Sequence, residues 1–281
     1  MATFTNQATL TYGTNVVNSN VAIGEILDVL SISKTALRET YAAGETPAYV
    51  INLVNTSDTA YNNLTVTDNL GTYTPAGGTA VTPLTYRENS VRYYNNGALQ
   101  PTPTVTAGPP LSFSNISVPA NGNTTIVYET NLNEFSPLAA GSTINNTVTV
   151  TGAGADITTA EAITAEEAPV LTIAKSVSPV PVAENGTLTY TFVIENYGNT
   201  PADATTGAVV SDTFNPILSG LNVTYDNTTV PATDYTYDTA TGQFTTNAGV
   251  ITVPAATFTT NPDGSITTTP GRGTLVISGT V

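Results

Sequence analysis

The chain has 281 residues, with 6 Lys+Arg against 21 Asp+Glu, no His, no Cys, no Trp and a formal charge of −15. A chain this acidic offers no basic patch to neutralise phosphates, which argues against nucleic acid as a partner. Without His or Cys it has no imidazole base, no thiolate nucleophile, no zinc finger and no disulfide framework, while 40% hydrophobic residues suffice to bury a core.

In chain order, the first strand-like run is FTNQATLTYG (4–13), which alternates in period two. The start MATFTNQ has neither a basic patch nor an apolar run, so no signal peptide is read there, and no run of 18 apolar residues exists to span a membrane. Residues 13–27 read as a linker with some strand content. LSISK (30–34), GETPAYVINLVN (44–55), LTVTD (64–68), TTIVYET (124–130) and NTVTV (146–150) follow, rich in Val, Ile, Thr and Tyr. Residues 152–169 read as a second linker, within which ITAEEA (163–168) has the composition of one helical turn. LTIAK (171–175), LTYTFVIEN (188–196), AVVSDTF (208–214) and TLVISGTV (274–281) complete the series. Turn signals lie between runs, at NNG (95–97), NGN (121–123), ENG (184–186) and PDG (262–264). No long segment carries the 3.6-residue period of an amphipathic helix, and short strands at this spacing predict an all-β sandwich class.

Self-comparison sharpens this. LSISK matches LTIAK, GETPAYVINLVN matches GTLTYTFVIEN (186–196), LTVTDNL (64–70) matches AVVSDTF, and NGNTTIVYET (121–130) matches GRGTLVISGT (271–280). The order is the same in both copies, which predicts two tandem Ig-like β-sandwiches. Copy one continues into TINNTVTV (143–150), whereas copy two reaches TLVISGTV with no counterpart after it. The missing strand has a likeness at the opposite end. FTNQATLTYG matches INNTVTVTG (144–152), aligning Asn6 with Asn146. Asn146 lies 29 residues before Lys175, and Asn6 lies 28 before Lys34. The sequence therefore divides into a donor strand and linker (1–27), a complete sandwich (28–168) and an incomplete one (169–281).

Lys34 and Lys175 are the only lysines, and they occupy the same repeat position. In LSISK the residues Leu30, Ile32 and Lys34 share a face, and in LTIAK so do Leu171, Ile173 and Lys175. Their apolar companions direct each amine inward. Asp68 shares a face with Leu64 and Val66, Asp212 with Ala208 and Val210, and Asn146 with Val148 and Val150; Asn6 aligns with Ala8, Leu10 and Tyr12. Burial lowers a lysine's proton affinity and raises that of an aspartate. A neutral amine can then attack the Asn carbonyl while Asp shuttles protons and ammonia leaves, giving a Lys–Asn isopeptide bond without an outside enzyme. The pairs so defined are Lys34 with Asn146 inside one chain, assisted by Asp68, and Lys175 with Asn6 between chains, assisted by Asp212. The plainer reading of each trio is a buried ion pair with an asparagine hydrogen-bonded beside it.

The pattern LTIAKSVSPVPVAENGTLTYTFVIENYGNTPADA…VVSDTF resembles the conserved repeat domain of Gram-positive and archaeal surface proteins. It shares the apolar-x-apolar-x-Lys opening, the Asn-x-Gly turn, the apolar-x-Asp strand and, in copy one, the closing Asn-Thr-x-Thr-Val strand. Copy one departs at the turn, with Asn-Thr-Ser at 55–57 in place of Asn-Tyr-Gly at 196–198. The resemblance implies an Ig-like sandwich of the kind that carries isopeptide bonds in pilins and adhesins, and the two-repeat architecture resembles clostridial spore-appendage subunits. It implies a structural protein of a spore or cell surface, extracellular, and no enzyme of a free substrate.

An open groove in copy two and a free strand of matching pattern predict donor-strand exchange. Insertion into the next subunit gives a head-to-tail homopolymer. The expected partner is the chain itself, with anchor or tip proteins beyond it, no nucleic acid, no membrane and no cofactor. The competing readings are an adhesin or ligand-binding module and a stalk fragment. Asn-x-Ser/Thr sequons at Asn55, Asn63, Asn115 and Asn227 are expected by chance in so Thr-rich a chain. Asp226, Asp234 and Asp238 are expected in turns rather than on a metal, and Arg87 and Arg92 as surface partners of Glu88 or other acids.

Overall fold

The computed structural model describes residues 2–26, 29–76 and 78–281. Strands β1 (Ala2–Asn6), β2 (Thr9–Tyr12), β3 (Asn15–Asn18) and β4 (Ala22–Ile26) form one hairpin, β1 on β4 and β2 on β3. Its two-residue tip is Gly13–Thr14, where Gly13 takes φ +58°. Most of the stretch expected to be a linker is thus the return arm of the hairpin.

The next twelve strands are β5 (Leu30–Ala36), β6 (Thr40–Tyr41), β7 (Ala48–Asn55), β8 (Tyr61–Asp68), β9 (Leu84–Tyr86), β10 (Arg92–Asn95), β11 (Ala98–Leu99), β12 (Thr104–Thr106), β13 (Leu111–Val118), β14 (Gly122–Leu132), β15 (Thr143–Gly152) and β16 (Ala155–Ala165). They make a sandwich. One sheet runs β11-β10-β14-β7-β5, with β9 on the far end of β14; the other runs β12-β13-β8-β15-β16-β6. Alternation builds it: β7 and β14 bury every second residue, placing Tyr49, Ile51 and Leu53 opposite Tyr128, Ile126 and Thr124. Phe113, Leu64, Val66, Val148 and Val150 fill the gap from the second sheet. The expected helical turn at 163–168 is absent. Ile163, Thr164 and Ala165 end β16, which pairs with β15 over its whole length and turns tightly at Ala153–Gly154. The second expected linker is therefore mostly strand.

The second sandwich uses β17 (Leu171–Ser178), β18 (Thr187–Asn196), β19 (Ser211–Thr213), β20 (Ser219–Tyr225), β21 (Thr228–Thr229), β22 (Tyr235–Tyr237), β23 (Gln243–Thr246), β24 (Thr257–Thr260), β25 (Ile266–Thr269) and β26 (Gly271–Thr280). One sheet, β17-β18-β26-β20-β21, repeats the order of its counterpart in the first sandwich. The facing sheet is only β19-β23-β22. Hence β19 corresponds to β8, β23 to β13 and β22 to β12. Among the described residues nothing takes the places of β15 and β16. β19 has shrunk to three residues beside that open edge. β17 is exposed along its whole length, including Leu171, Ile173 and Val177, whereas Leu30 of β5 is buried. The hairpin β24–β25 leans on the first sandwich, where the Ile266 amide donates to the Glu134 carbonyl at 2.7 Å.

Strand pairing corrects one sequence alignment. Gly122 opposes Asn55 and Gly271 opposes Asn196, so Ile126 corresponds to Leu275 and Tyr128 to Ile277. The match of NGNTTIVYET to GRGTLVISGT is one residue out of register. Similarity of short alternating strings tolerates such a slip, and the facing strand does not.

The two turns that differ in sequence are held alike. Asn55 is buried; its amide donates to the Thr59 and Pro119 carbonyls at 2.8 and 3.0 Å, and its oxygen accepts from Ser57. Asn196 donates to the Thr200 and Pro254 carbonyls and accepts from the amides of Val170 and Gly198. Asn196→Ala strands four backbone groups at once, and should cost the second sandwich about 3 kcal/mol. Urea unfolding monitored by tyrosine fluorescence measures it; a loss below about 1 kcal/mol would show that water replaces the asparagine freely.

Candidate cross-linking site

Three strands deliver three side chains to one point in the first core. Lys34 enters from β5, in one sheet, on the face shared with Leu30 and Ile32. Asp68 ends β8, in the facing sheet. In the β8–β15 register Asp68 opposes Val148, and Asn146 lies two residues earlier on the same face as Val148. Lys34 and Asp68 are in contact, and Asn146 is buried on the strand that pairs with β8.

The Lys34 and Asp68 side chains are both 0% exposed, and Lys34 Nζ donates to Asp68 Oδ2 at 2.6 Å. The Tyr128 hydroxyl donates to the same oxygen, and the Leu70 amide donates to Asp68 Oδ1 at 2.8 Å. Lys34 Nζ sits 4.7 Å from the ring centre of Tyr49. Asn146 is fully buried, yet neither its carboxamide nitrogen nor its oxygen has a hydrogen-bond partner. The Asn146 carboxamide eases ionisation of the Tyr49 and Tyr128 phenols a little, against the dominant upward push of burial.

Burial lowers the Lys34 pKa to about 8, against the opposing pull of the Asp68 carboxylate and the more distant Glu161. Glu161 faces Asn146 across the β15–β16 pair, and its carboxylate accepts from the Ala36 amide at 3.2 Å. The result is an amine that gives up its proton readily, an acceptor for that proton in contact, and a carboxamide left without the hydrogen bonds a buried asparagine ordinarily makes.

The second site is half built. Lys175 pairs with Asp212, but their side chains remain 39% and 18% exposed. Lys175 Nζ lies 4.5 Å from the ring centre of Tyr190, 5.5 Å from that of Phe192 and 5.7 Å from that of Phe214. The expectation that Lys175 is buried like Lys34 does not hold for the single chain, because nothing covers the inner face of β17. Asn6 is exposed on β1, opposite Ala22, and belongs to neither site within its own chain.

Sequence reasoning missed Tyr49, Tyr128 and Glu161. The first had a signal: Tyr49 and Tyr190 fall at the same place in the matched strands GETPAYVINLVN and GTLTYTFVIEN. Of the two arginines expected to partner surface acids, Arg87 does so and Arg92 does not. Arg87 pairs with Glu129 at 2.6 Å, and Arg92 donates to the carbonyls of Asn89 and Val91. Asp226 and Asp238 accept from the amides of Thr274 and Ala240, bonds that hold turns.

No protein-family model matches the chain, and no curated protein matches it. The resemblance to the conserved repeat domain therefore rests on the motifs quoted above. Among solved structures, the chain is similar to the pilus backbone RrgB from Streptococcus pneumoniae, at 12% identity and TM-score 0.36, covering 86% of this chain and 55% of that one. It is also similar to BcpA, the major pilin subunit of Bacillus cereus, at 13% identity and TM-score 0.35, covering 96% and 73%. A collagen-binding domain from a Staphylococcus aureus adhesin matches 50% of this chain and 99% of its own, at 10% identity and TM-score 0.30. At this level the similarities carry no inference about what the chain does.

The shifted lysine makes stability depend on pH in a chain that cannot cross-link, such as Asn146→Ala. Lys34 keeps its proton to about 10.5 when unfolded and releases it near 8 when folded, so between these values the unfolded state binds more protons. Stability then rises with pH across that window. Burial holds Tyr41, Tyr49 and Tyr128 above their ordinary value of 10, so above pH 10 the unfolded chain sheds phenolic protons first and the slope reverses. Urea unfolding at pH 8, 9 and 10 should show a gain on the order of 2 kcal/mol. A flat profile would mean that Lys34 stays an ammonium in the core.

Proposed function

We propose that this chain is the subunit of a cell- or spore-surface fibre that polymerises head-to-tail by donor-hairpin exchange and locks itself with Lys–Asn isopeptide bonds. The observation that carries this is a match between what the first sandwich has and what the second lacks. β15 pairs with β8, and β16 lies against β5. Their counterparts β19 and β17 have no such neighbours among the described residues. The hairpin β1–β4 pairs only with itself, and its residues with described side chains are largely exposed, including Leu10, Tyr12, Val16, Val17 and Ile23.

The two hairpins agree in detail. Asn6 precedes the tip residue Gly13 by seven positions, as Asn146 precedes Ala153. The donor is thus a two-stranded unit. Its first arm takes the place of β15 beside β19, and its second arm takes the place of β16 over the bare face of β17. In that seat Asn6 reaches the position that Asn146 holds beside Lys34. Covering β17 also expels water from Lys175 and Asp212, giving the second site the closed surroundings of the first.

A contact between the head of one molecule and the tail of the next is heterologous and propagates as a filament. Within each subunit Lys34 bonds Asn146; across each joint Lys175 bonds Asn6. The net charge of −15 keeps free subunits apart in solution until the groove is filled.

Electron microscopy of the purified protein should show filaments, and a boiled denaturing gel a ladder of multiples. Lys175→Ala should remove the ladder, Lys34→Ala should leave it, and deletion of residues 1–26 should leave monomers alone. Intact mass should fall by ~17 Da, one ammonia, for each bond. Filaments that boil to monomers would retain the exchange and remove the intermolecular bond; monomers in both assays would overturn the proposal.

A further inference from the structure

We propose that Tyr49, and Tyr190 in the second sandwich, are catalytic residues of the cross-linking reaction, each donating its hydroxyl hydrogen to the oxyanion that forms when lysine attacks asparagine. The inference rests on the isopeptide reading above and adds to it a group that neither the lysine, the aspartate nor the asparagine supplies.

Tyr49 stands on β7 next to β5, opposite Ala36, and opposite Tyr128 on its other side. Its ring lies under Lys34 Nζ at 4.7 Å and stacks on the Tyr128 ring at 5.7 Å, which fixes where the hydroxyl points. That hydroxyl makes no hydrogen bond of good geometry, nor does the Asn146 carboxamide; the two lie near enough that the carboxamide partly offsets the upward push of burial on the Tyr49 phenol. Tyr128 cannot serve, since its hydrogen is committed to Asp68. Leaving a buried hydroxyl unmatched costs the fold its desolvation with no bond in return. A donor unsatisfied in the ground state and satisfied only as charge develops is what differential stabilisation of a transition state requires.

The repeat supplies independent support. Tyr190 occupies the equivalent register position on β18, and its ring lies 4.5 Å from Lys175 Nζ. The place of Tyr128 is taken by Ile277, so that residue is not common to both sites. Lysine, aspartate and this one tyrosine are.

The step balances without any further reagent. Lys34 Nζ passes one proton to Asp68 and attacks Asn146 Cγ. The carbonyl electrons move to Oδ1, where the Tyr49 hydroxyl holds the negative charge. The adduct nitrogen passes a proton to Nδ2 by way of Asp68, the Cγ–Nδ2 bond breaks as the carbonyl reforms, and nitrogen departs as ammonium carrying the proton Lys34 began with.

Tyr49→Phe keeps the ring and removes the donor. Made by cell-free synthesis and followed by intact mass, the wild-type chain should lose ~17 Da for its internal bond, and Tyr49→Phe should do so about 100-fold more slowly. Tyr190→Phe, which leaves the first core untouched, should slow growth of the boiled ladder by a similar factor while filaments still form. In the Asn146→Ala background, Tyr49→Phe should leave the urea midpoint unchanged or higher, because it deletes an unmatched hydroxyl; a fall would assign the hydroxyl a structural bond and overturn the inference. Equal cross-linking rates in wild type and both variants would overturn it while leaving the isopeptide reading intact. A wild-type chain that loses no ammonia would overturn that reading first.

Discussion

An ammonium and a carboxylate sealed inside a β-sandwich set the terms for everything near them. Taking either ion out of water alone costs several kcal/mol, and the interior returns that only when the geometry is good and the remaining polar atoms are matched. Lys34 and Asp68 meet these conditions: a 2.6 Å contact, a backbone amide on one carboxylate oxygen and a tyrosine hydroxyl on the other. The pair also ties β5 of one sheet to β8 of the other. A slip of one residue in β5 would turn Lys34 to solvent and put Ser33 or Thr35 inside, leaving Asp68 charged and alone. Register in the first sandwich is thus specified by charge as well as by apolar pattern.

The same pair explains why Asn146 tolerates an unmatched carboxamide. Asp68 and both nearby tyrosines are arranged around the lysine, and the amide completes the packing without gaining a partner of its own. Such a group is a standing cost to the fold unless chemistry removes it. The proposed bond would do so: the carbonyl would stay, the amide nitrogen leave, and a charged amine become a neutral amide in an apolar interior. Its driving force would lie in relieving buried charge and an unpaired dipole together, supplied only once the core has closed.

Much of this was legible because strands advertise their faces. The period-two alternation in LSISK, LTVTD and NTVTV was enough to place Lys34, Asp68 and Asn146 in one core, and the bias of the chain to two lysines marked the position. Three things were not legible. Residues 15–26 and 155–165 alternate weakly, because β3 is exposed on both faces and β16 carries Ala and Thr on each of its faces, so their strands looked like linkers. The slip between NGNTTIVYET and GRGTLVISGT was invisible because a shifted alternating string still looks similar; it set Ser278, rather than Ile277, in the place of Tyr128. The tyrosines themselves were read as ordinary strand residues, because only three-dimensional placement separates a core tyrosine with a bonded hydroxyl from one without.

The two sites differ in a way that orders their chemistry. The first is closed by strands of its own chain, so the amine meets its asparagine at the effective concentration of a folded core. The second presents the amine and acid at a wet edge, and on the proposed exchange its strand pair would arrive from another subunit at a rate set by encounter. It also lacks the tyrosine that steadies Asp68, with Ile277 in that place, and the donor carries Ala22 where the first sandwich has Glu161. Each absence removes an interaction that orders or charges the first site. If both proposed bonds form, a subunit built this way would cross-link internally before it joins a neighbour, and that order would matter mechanically. On the proposed assembly, the first sandwich would already be stiffened when its hairpin is captured, so the joint would form between finished bodies and tension along the filament would fall on amide bonds and strand ladders rather than on an unlinked core.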